Sequence, residues 1–242
     1  MRLVRSAAQP RRRRHALATA VASVGLVTGV GLVPVQASPQ PSTVAHSQAV
    51  EQRRGNPDAY NFFRHNGKIV HWNRCGAIGF RVYAKGAPRK GIANAREAMQ
   101  RINRASGLKF RYRGISRVKP NRTGSGYADG TGLVIGWLPK KQFGGGAGLG
   151  GWQANYKGRI TSGFVMINRA IKLRPGFGPG PVNGNQGTTG QILMHEAGHS
   201  VGLQHVKNKP QIMYPQMRRR PATWGAGDYN GLRKLGRIRS CR

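Results

Sequence analysis

His195-Glu196-Ala197-Gly198-His199-Ser200-Val201-Gly202-Leu203-Gln204-His205 is the stretch on which the reading of this chain turns. The first two histidines stand four apart, so on a helix they share one face, one turn apart, with ring nitrogens able to reach a single ion. Glu196 follows the first of them and can reach a water on that ion without binding the ion itself. Gly202 can take a positive φ and break the helix, which lets His205 swing back as a third ligand. The chain has seven histidines in 242 residues, and three of them fall within these eleven. Three neutral imidazoles leave one position of a Zn2+ ion open to water. The ion lowers that water's pKa toward ~7. Glu196 is the general base that takes its proton and later delivers it to a leaving amine, while the ion stabilises the oxyanion formed from a carbonyl.

Working outward, Thr188 and Gln191 have the spacing of a capping box, so a helix is expected to open near Thr188 and run to about Val201. Further upstream, Ile69-Val70-His71-Trp72 and Ile78-Gly79-Phe80-Arg81-Val82-Tyr83 are rich in β-formers, and a strand is expected to end near Tyr83. Ile92, Ala95, Ala98, Met99, Ile102 and Ala105 form one helical stripe, and Gly107 is a plausible stop. Leu108 to Tyr112, Leu133 to Trp137 and Phe164 to Ile167 read as strands. Phe143 to Gly151 reads as a glycine-rich loop, residues 174–187 as a Gly/Pro/Asn loop, and Asp228 to Leu235 as a last helix. Strand, helix, strands, helix, loop, helix is an α+β plan. Trp72, Trp137, Trp152 and Trp224 are assigned to packing, and His46, His65 and His71, which lack ligand spacing, to the surface.

Ile212-Met213-Tyr214-Pro215 places Met213 eight residues after His205. With the histidine segment, it resembles the zinc and Met-turn motifs of the metzincin clan of zinc peptidases, and within it the matrixins, particularly their compact bacterial secreted relatives. The resemblance covers roughly residues 68–236. Trp72-Asn73-Arg74-Cys75 and Asp228-Tyr229-Asn230-Gly231-Leu232 are weaker echoes of the same family at its first strand and last helix. It implies a metzincin-like domain: a twisted, mostly parallel sheet with an antiparallel edge strand, an active-site helix and a C-terminal helix. It further implies zinc-dependent endopeptidase activity, with His195, His199 and His205 as metal ligands and Glu196 as base. Met213 would lie beneath the ion, and Tyr214 and Pro215 would wall the pocket for the residue after the cut bond. Phe164 to Asn168 resembles the edge strand along which extended substrate pairs by main-chain hydrogen bonds. Asp228 is expected to cap or anchor the last helix.

The chain also departs from that pattern. Matrix metalloproteases use His and Asp near the glycine-rich loop to hold a structural zinc and calcium, yet no His, Asp or Glu stands between Gly144 and Asn168. One catalytic zinc is therefore expected, without an acidic calcium cage there. Val206 stands where matrixins often place Ser. Arg74-Cys75-Gly76 faintly resembles the cysteine segment that caps the zinc in matrixin zymogens. Against that, Cys75 leads into a strand, and the chain has only Cys75 and Cys241. A Cys75–Cys241 disulfide in an oxidising compartment is the favoured reading.

Residues 1–15 carry six arginines and no acid, residues 16–33 are small and apolar, and Val35-Gln36-Ala37 has the small-x-small pattern of a cleavage site. Residues 1–37 thus read as a secretory signal peptide, residues 38–67 as a flexible Ser/Pro/Gln/Arg lead-in, and residues 68–242 as the catalytic domain of a secreted monomer with no stable membrane span after cleavage. Lys and Arg number 41 against six Asp and Glu, a net charge of +35, and loss of the six leader arginines leaves +29. Such a surface is either simply solvated or drawn to polyanions such as an anionic cell-envelope polymer or acidic protein substrates. Nucleic acid is the weaker partner, since no recognition motif accompanies the charge. The competing function is a secreted basic module that binds polyanions or cell wall around an inactive or structural zinc site. Glu196 separates the two, because a structural site needs no adjacent base and fills its fourth position with protein.

Overall fold

The computed structural model describes residues 54–180 and 187–238. The expected signal peptide, the first part of the lead-in and Cys241 lie outside the described residues. Two short strands come first, β1 (Arg64–His65) and β2 (Lys68–Ile69), paired antiparallel across Asn66-Gly67. Both turn residues have positive φ, 49° and 72°, the conformation an Asn-Gly hairpin turn requires. The rest of the domain is β3 (Ile78–Tyr83), α1 (Gly91–Ser106), β4 (Phe110–Ile115), β5 (Leu133–Leu138), a single 3-10 turn, β6 (Gly148–Ala154), β7 (Ile160–Asn168), α2 (Thr189–Val201) and α3 (Ala226–Leu235).

Five strands form one sheet in the order β4-β3-β5-β7-β6. β4, β3, β5 and β7 are mutually parallel, and β6 alone runs antiparallel, against β7. The fold is α+β, with a mostly parallel sheet and an antiparallel edge strand. The edge, however, is not Phe164–Asn168. Those residues belong to β7 and are hydrogen-bonded on both sides, to β5 and to β6. The edge strand is built largely from the glycine-rich stretch expected to be a loop. Its glycines carry no apolar alternation by which a strand could be recognised, whereas an apolar run such as Phe164–Ile167 cannot reveal which neighbours it has.

Side chains of β7 alternate as a strand buried on both faces must. Val165 and Ile167 enter the main core with Met99, Ile102, Leu193 and Met194. Phe164 and Met166 pack on the other face with Leu138, flanked by Tyr83, Phe143 and Leu149. On the main-core side, α1 packs on α2 and α3, and α2 lies against β6 and β7. Trp72, Trp137 and Trp224 are buried, as expected of packing residues. His71 is a correction to the surface assignment: it is buried, its Nδ1 3.0 Å from the Ile69 carbonyl and its backbone joined to Gly158 and Ile160.

Residues 54–67 lie against the domain. Phe63 N–H donates to the Gly202 carbonyl, Gln204 N–H to Asn61, and Ala226 N–H to Arg54. Phe62 and Phe63 pack against the core, so the packed domain begins ahead of residue 68. No helix among the described residues is long and apolar enough to cross a membrane.

Candidate active site

α2 opens where Thr188 and Gln191 place it. The Gln191 amide donates to Thr188 Oγ1 at 3.2 Å, and Gln191 Oε1 accepts from the Thr188 amide at 3.0 Å. The helix stops at Gly202, whose φ is 114°. A Cβ there would stand 2.6 Å from the Val70 carbonyl oxygen, so both backbone conformation and space demand glycine. The turn that follows serves the site at once: the Leu203 carbonyl lies 2.8 Å from Nδ1 of His199. The Ile212 carbonyl does the same for His195 at 2.7 Å. A carbonyl can only accept, so each Nδ1 carries the proton and donates. That leaves the Nε2 lone pair of both rings facing inward, the tautomer a metal-binding histidine needs.

His205 returns to meet them. Its Nε2 stands 3.0 Å from Nε2 of His195 and 3.0 Å from Nε2 of His199. Three nitrogens bound tetrahedrally at 2.0–2.1 Å from zinc would be separated by about 3.3 Å. The triad is therefore at ligand spacing with only slight compression. No fourth His, Cys, Asp or Glu joins this cluster among the described residues. Burial pushes the His195 pKa down to about 4 and that of His199 to about 3, and it lowers that of His205. All three are neutral at pH 7, as ligands must be. Donor type, tautomer and spacing fit a zinc ion.

Glu196 is buried beside the triad and outside the ligand cluster. Burial pushes its carboxyl up to about 8, against the pull of a hydrogen bond from the Gly150 backbone. A divalent cation nearby favours the carboxylate form. The glycines of β6 are what let the helix come this close. A Cβ at Gly150 would lie 1.9 Å from the Glu196 carbonyl oxygen, and one at Gly148 would lie 2.7 Å from Glu196 Cγ and Oε1.

Beneath the histidines, Met213 is buried against Gly198, where an added Cβ would meet its sulfur at 2.5 Å. The Val206 amide donates to the Met213 carbonyl, tying the His205 loop to the turn. Tyr214 and Pro215 line the cavity that holds the triad. Asp228 does more than cap α3. Its carboxylate accepts from the amides of Ile212, Met213 and Gly225, and so holds the Met-turn whose Ile212 carbonyl orients His195. Burial pushes its pKa up to about 6 against these donors, leaving it ionised at neutral pH. Asp228→Ala orphans three buried amides at ~1–3 kcal/mol each. A loss of at least about 3 kcal/mol in urea unfolding is expected, and a loss under 1 kcal/mol would refute this role. Phe63, from the segment read as a lead-in, packs its ring 5.7 Å from that of His199. Nothing in the local pattern around Phe63 marks that contact.

A helix presenting two histidines, a turn returning the third and a methionine floor define the zinc-peptidase class of site. Residues 152–235, about a third of the chain, match the matrixin family. Among solved structures the chain is similar to metalloproteinase-II from Bacteroides fragilis, at 13% identity and a TM-score of 0.38, over 76% of this chain and 59% of that one. The match thus spans under two thirds of that protein's length. No curated protein sequence matches significantly.

Proposed function

We propose that this protein is a secreted zinc-dependent endopeptidase. The observation that carries the reading is the triad of Nε2 atoms at ligand spacing with a buried, non-ligating carboxyl beside it. Zinc held by His195, His199 and His205 supplies a Lewis acid that acidifies water and polarises a carbonyl. The protein does the rest. Ile212 and Leu203 hold two of the imidazoles in the ligating tautomer. Glu196, screened from solvent, takes a proton from the attacking water and passes it to the departing amine. The outer edge of β6 borders the same cavity, since Gly148 and Leu149 line it, and offers main-chain groups to an extended peptide. Tyr214 and Pro215 wall the space for the side chain after the cut bond. Cleavage of a peptide library by the zinc-loaded chain, abolished by a chelator and restored by zinc, is the expected result; cleavage that survives complete metal removal refutes it. A polyanion-binding module with an idle zinc site would not require a carboxyl placed as Glu196 is.

Export and a Cys75–Cys241 bridge complete the proposal. The leader composition and the two-cysteine count support them. Intact mass of the protein recovered outside an exporting host should match a chain that begins at Ser38 and lacks two hydrogens until it is reduced. An intact leader or a free thiol in that material would refute the corresponding part.

A further inference from the structure

The cavity beside the histidines carries charge that the proposed mechanism does not use. It encloses about 290 Å³ and extends from the triad to a wall that includes Arg218 and Arg220. Glu196 is the sole acid among the described residues of its lining. Arg218 lies over the Tyr214 ring, 5.0 Å from its centroid, with Nη2 3.4 Å from the phenol oxygen. Tyr214 thus guides that guanidinium along the wall. Arg220 is half-buried. Its Nη1 and Nη2 donate to the carbonyls of Pro210 and Gln211, and its Nε is buried with no hydrogen-bond partner among the described residues. Two carbonyls occupy two of five N–H donors.

Asp228 eases the charge of Arg220 from a distance, but no acid among the described residues does so on the far side of the wall. There a second cavity of about 400 Å³ shares Arg218 and Arg220 and adds Arg54, Lys209 and Arg219, with no acidic side chain among the described residues of its lining. The wall between the two cavities is therefore positive from both sides. An apolar side chain filling the active-site cavity would strip water from the exposed Arg218 guanidinium beside the half-buried Arg220 charge and give nothing back. A carboxylate would accept charge-assisted hydrogen bonds from Arg218 and be drawn by the positive charge of Arg220 behind it.

We propose that this cavity selects an acidic side chain at the substrate residue following the cut bond, with Arg218 and Arg220 as the specificity-determining residues. The inference rests on the peptidase reading above.

Four peptides identical except for Glu, Gln, Leu or Lys after the cut bond, assayed with the zinc-loaded chain, provide the test. Because Arg220 also holds two backbone carbonyls, the variant is made at exposed Arg218. Glu should exceed Gln in kcat/KM by at least about tenfold, and the ratio should shrink in high salt as exposed charges are screened. In Arg218→Glu the Glu/Gln ratio should collapse and the Lys peptide should gain. Gln or Leu turned over as well as Glu, or a preference unaltered in Arg218→Glu, overturns the inference and leaves the peptidase reading standing. No turnover of any of the four, nor of a general peptide library, overturns both.

Discussion

Glu196→Ala binds one zinc ion per chain, as the parent does, and loses about 10²–10⁴-fold in kcat, the usual contribution of a positioned general base. The two halves of this expectation come from separate features. Zinc is retained because the three converging donors are imidazoles and the Glu196 carboxyl stands outside their cluster. Turnover is lost because no other acid among the described residues lines the cavity to take the proton. Metal analysis beside steady-state kinetics reads both halves. A variant that loses its zinc would make Glu196 a ligand, and one that keeps full turnover would remove it from the chemistry.

Gly150→Ala should destabilise the domain by about 3 kcal/mol, the upper range for an overpacked site, and should displace Glu196 as well. The added methyl carbon would stand 1.9 Å from the Glu196 carbonyl oxygen and 2.6 Å from its carbon. These are backbone atoms, so no rotamer change can make room. Either α2 moves off β6 or β6 leaves β7, and both part Glu196 from the strand edge that borders the cavity. Gly146→Ala, four residues earlier, is the control. Its nearest contacts are at 3.4 and 3.5 Å, and a change within about 0.5 kcal/mol is expected. For a domain of this size the difference amounts to a fall of about 6–12 °C in Tm for Gly150→Ala. Equal Tm values for the two variants would refute the close-approach argument.

The contrast between those two glycines shows what could be read in advance and what could not. The histidine spacing, the Thr188–Gln191 cap and the Gly202 stop are local rules, each satisfied within a few residues, and they placed the metal site before any coordinates. Met213 was legible only through the resemblance of its segment, eight residues beyond His205, to the matrixin Met-turn. Gly148 and Gly150 were not, because their role is to be absent where a helix passes, and an absence leaves no pattern in a strand. Asp228 reaches amides fifteen and sixteen residues away, and Phe63 reaches His199 from a stretch whose composition spoke of a loose lead-in. Position within a sheet is likewise non-local. Phe164–Asn168 was recognisable as a strand, but only pairing on both sides shows that it lies inside the sheet and that the edge beside the cavity belongs to β6.

Zinc affinity, measured by competition with a chromophoric chelator, tests the central geometry without relying on turnover. The parent chain should bind one ion in this site, and His195→Ala, His199→Ala and His205→Ala should each weaken binding by more than the roughly 10–100-fold that follows loss of an outer-shell partner. A His205→Ala chain that holds zinc as tightly as the parent would contradict it.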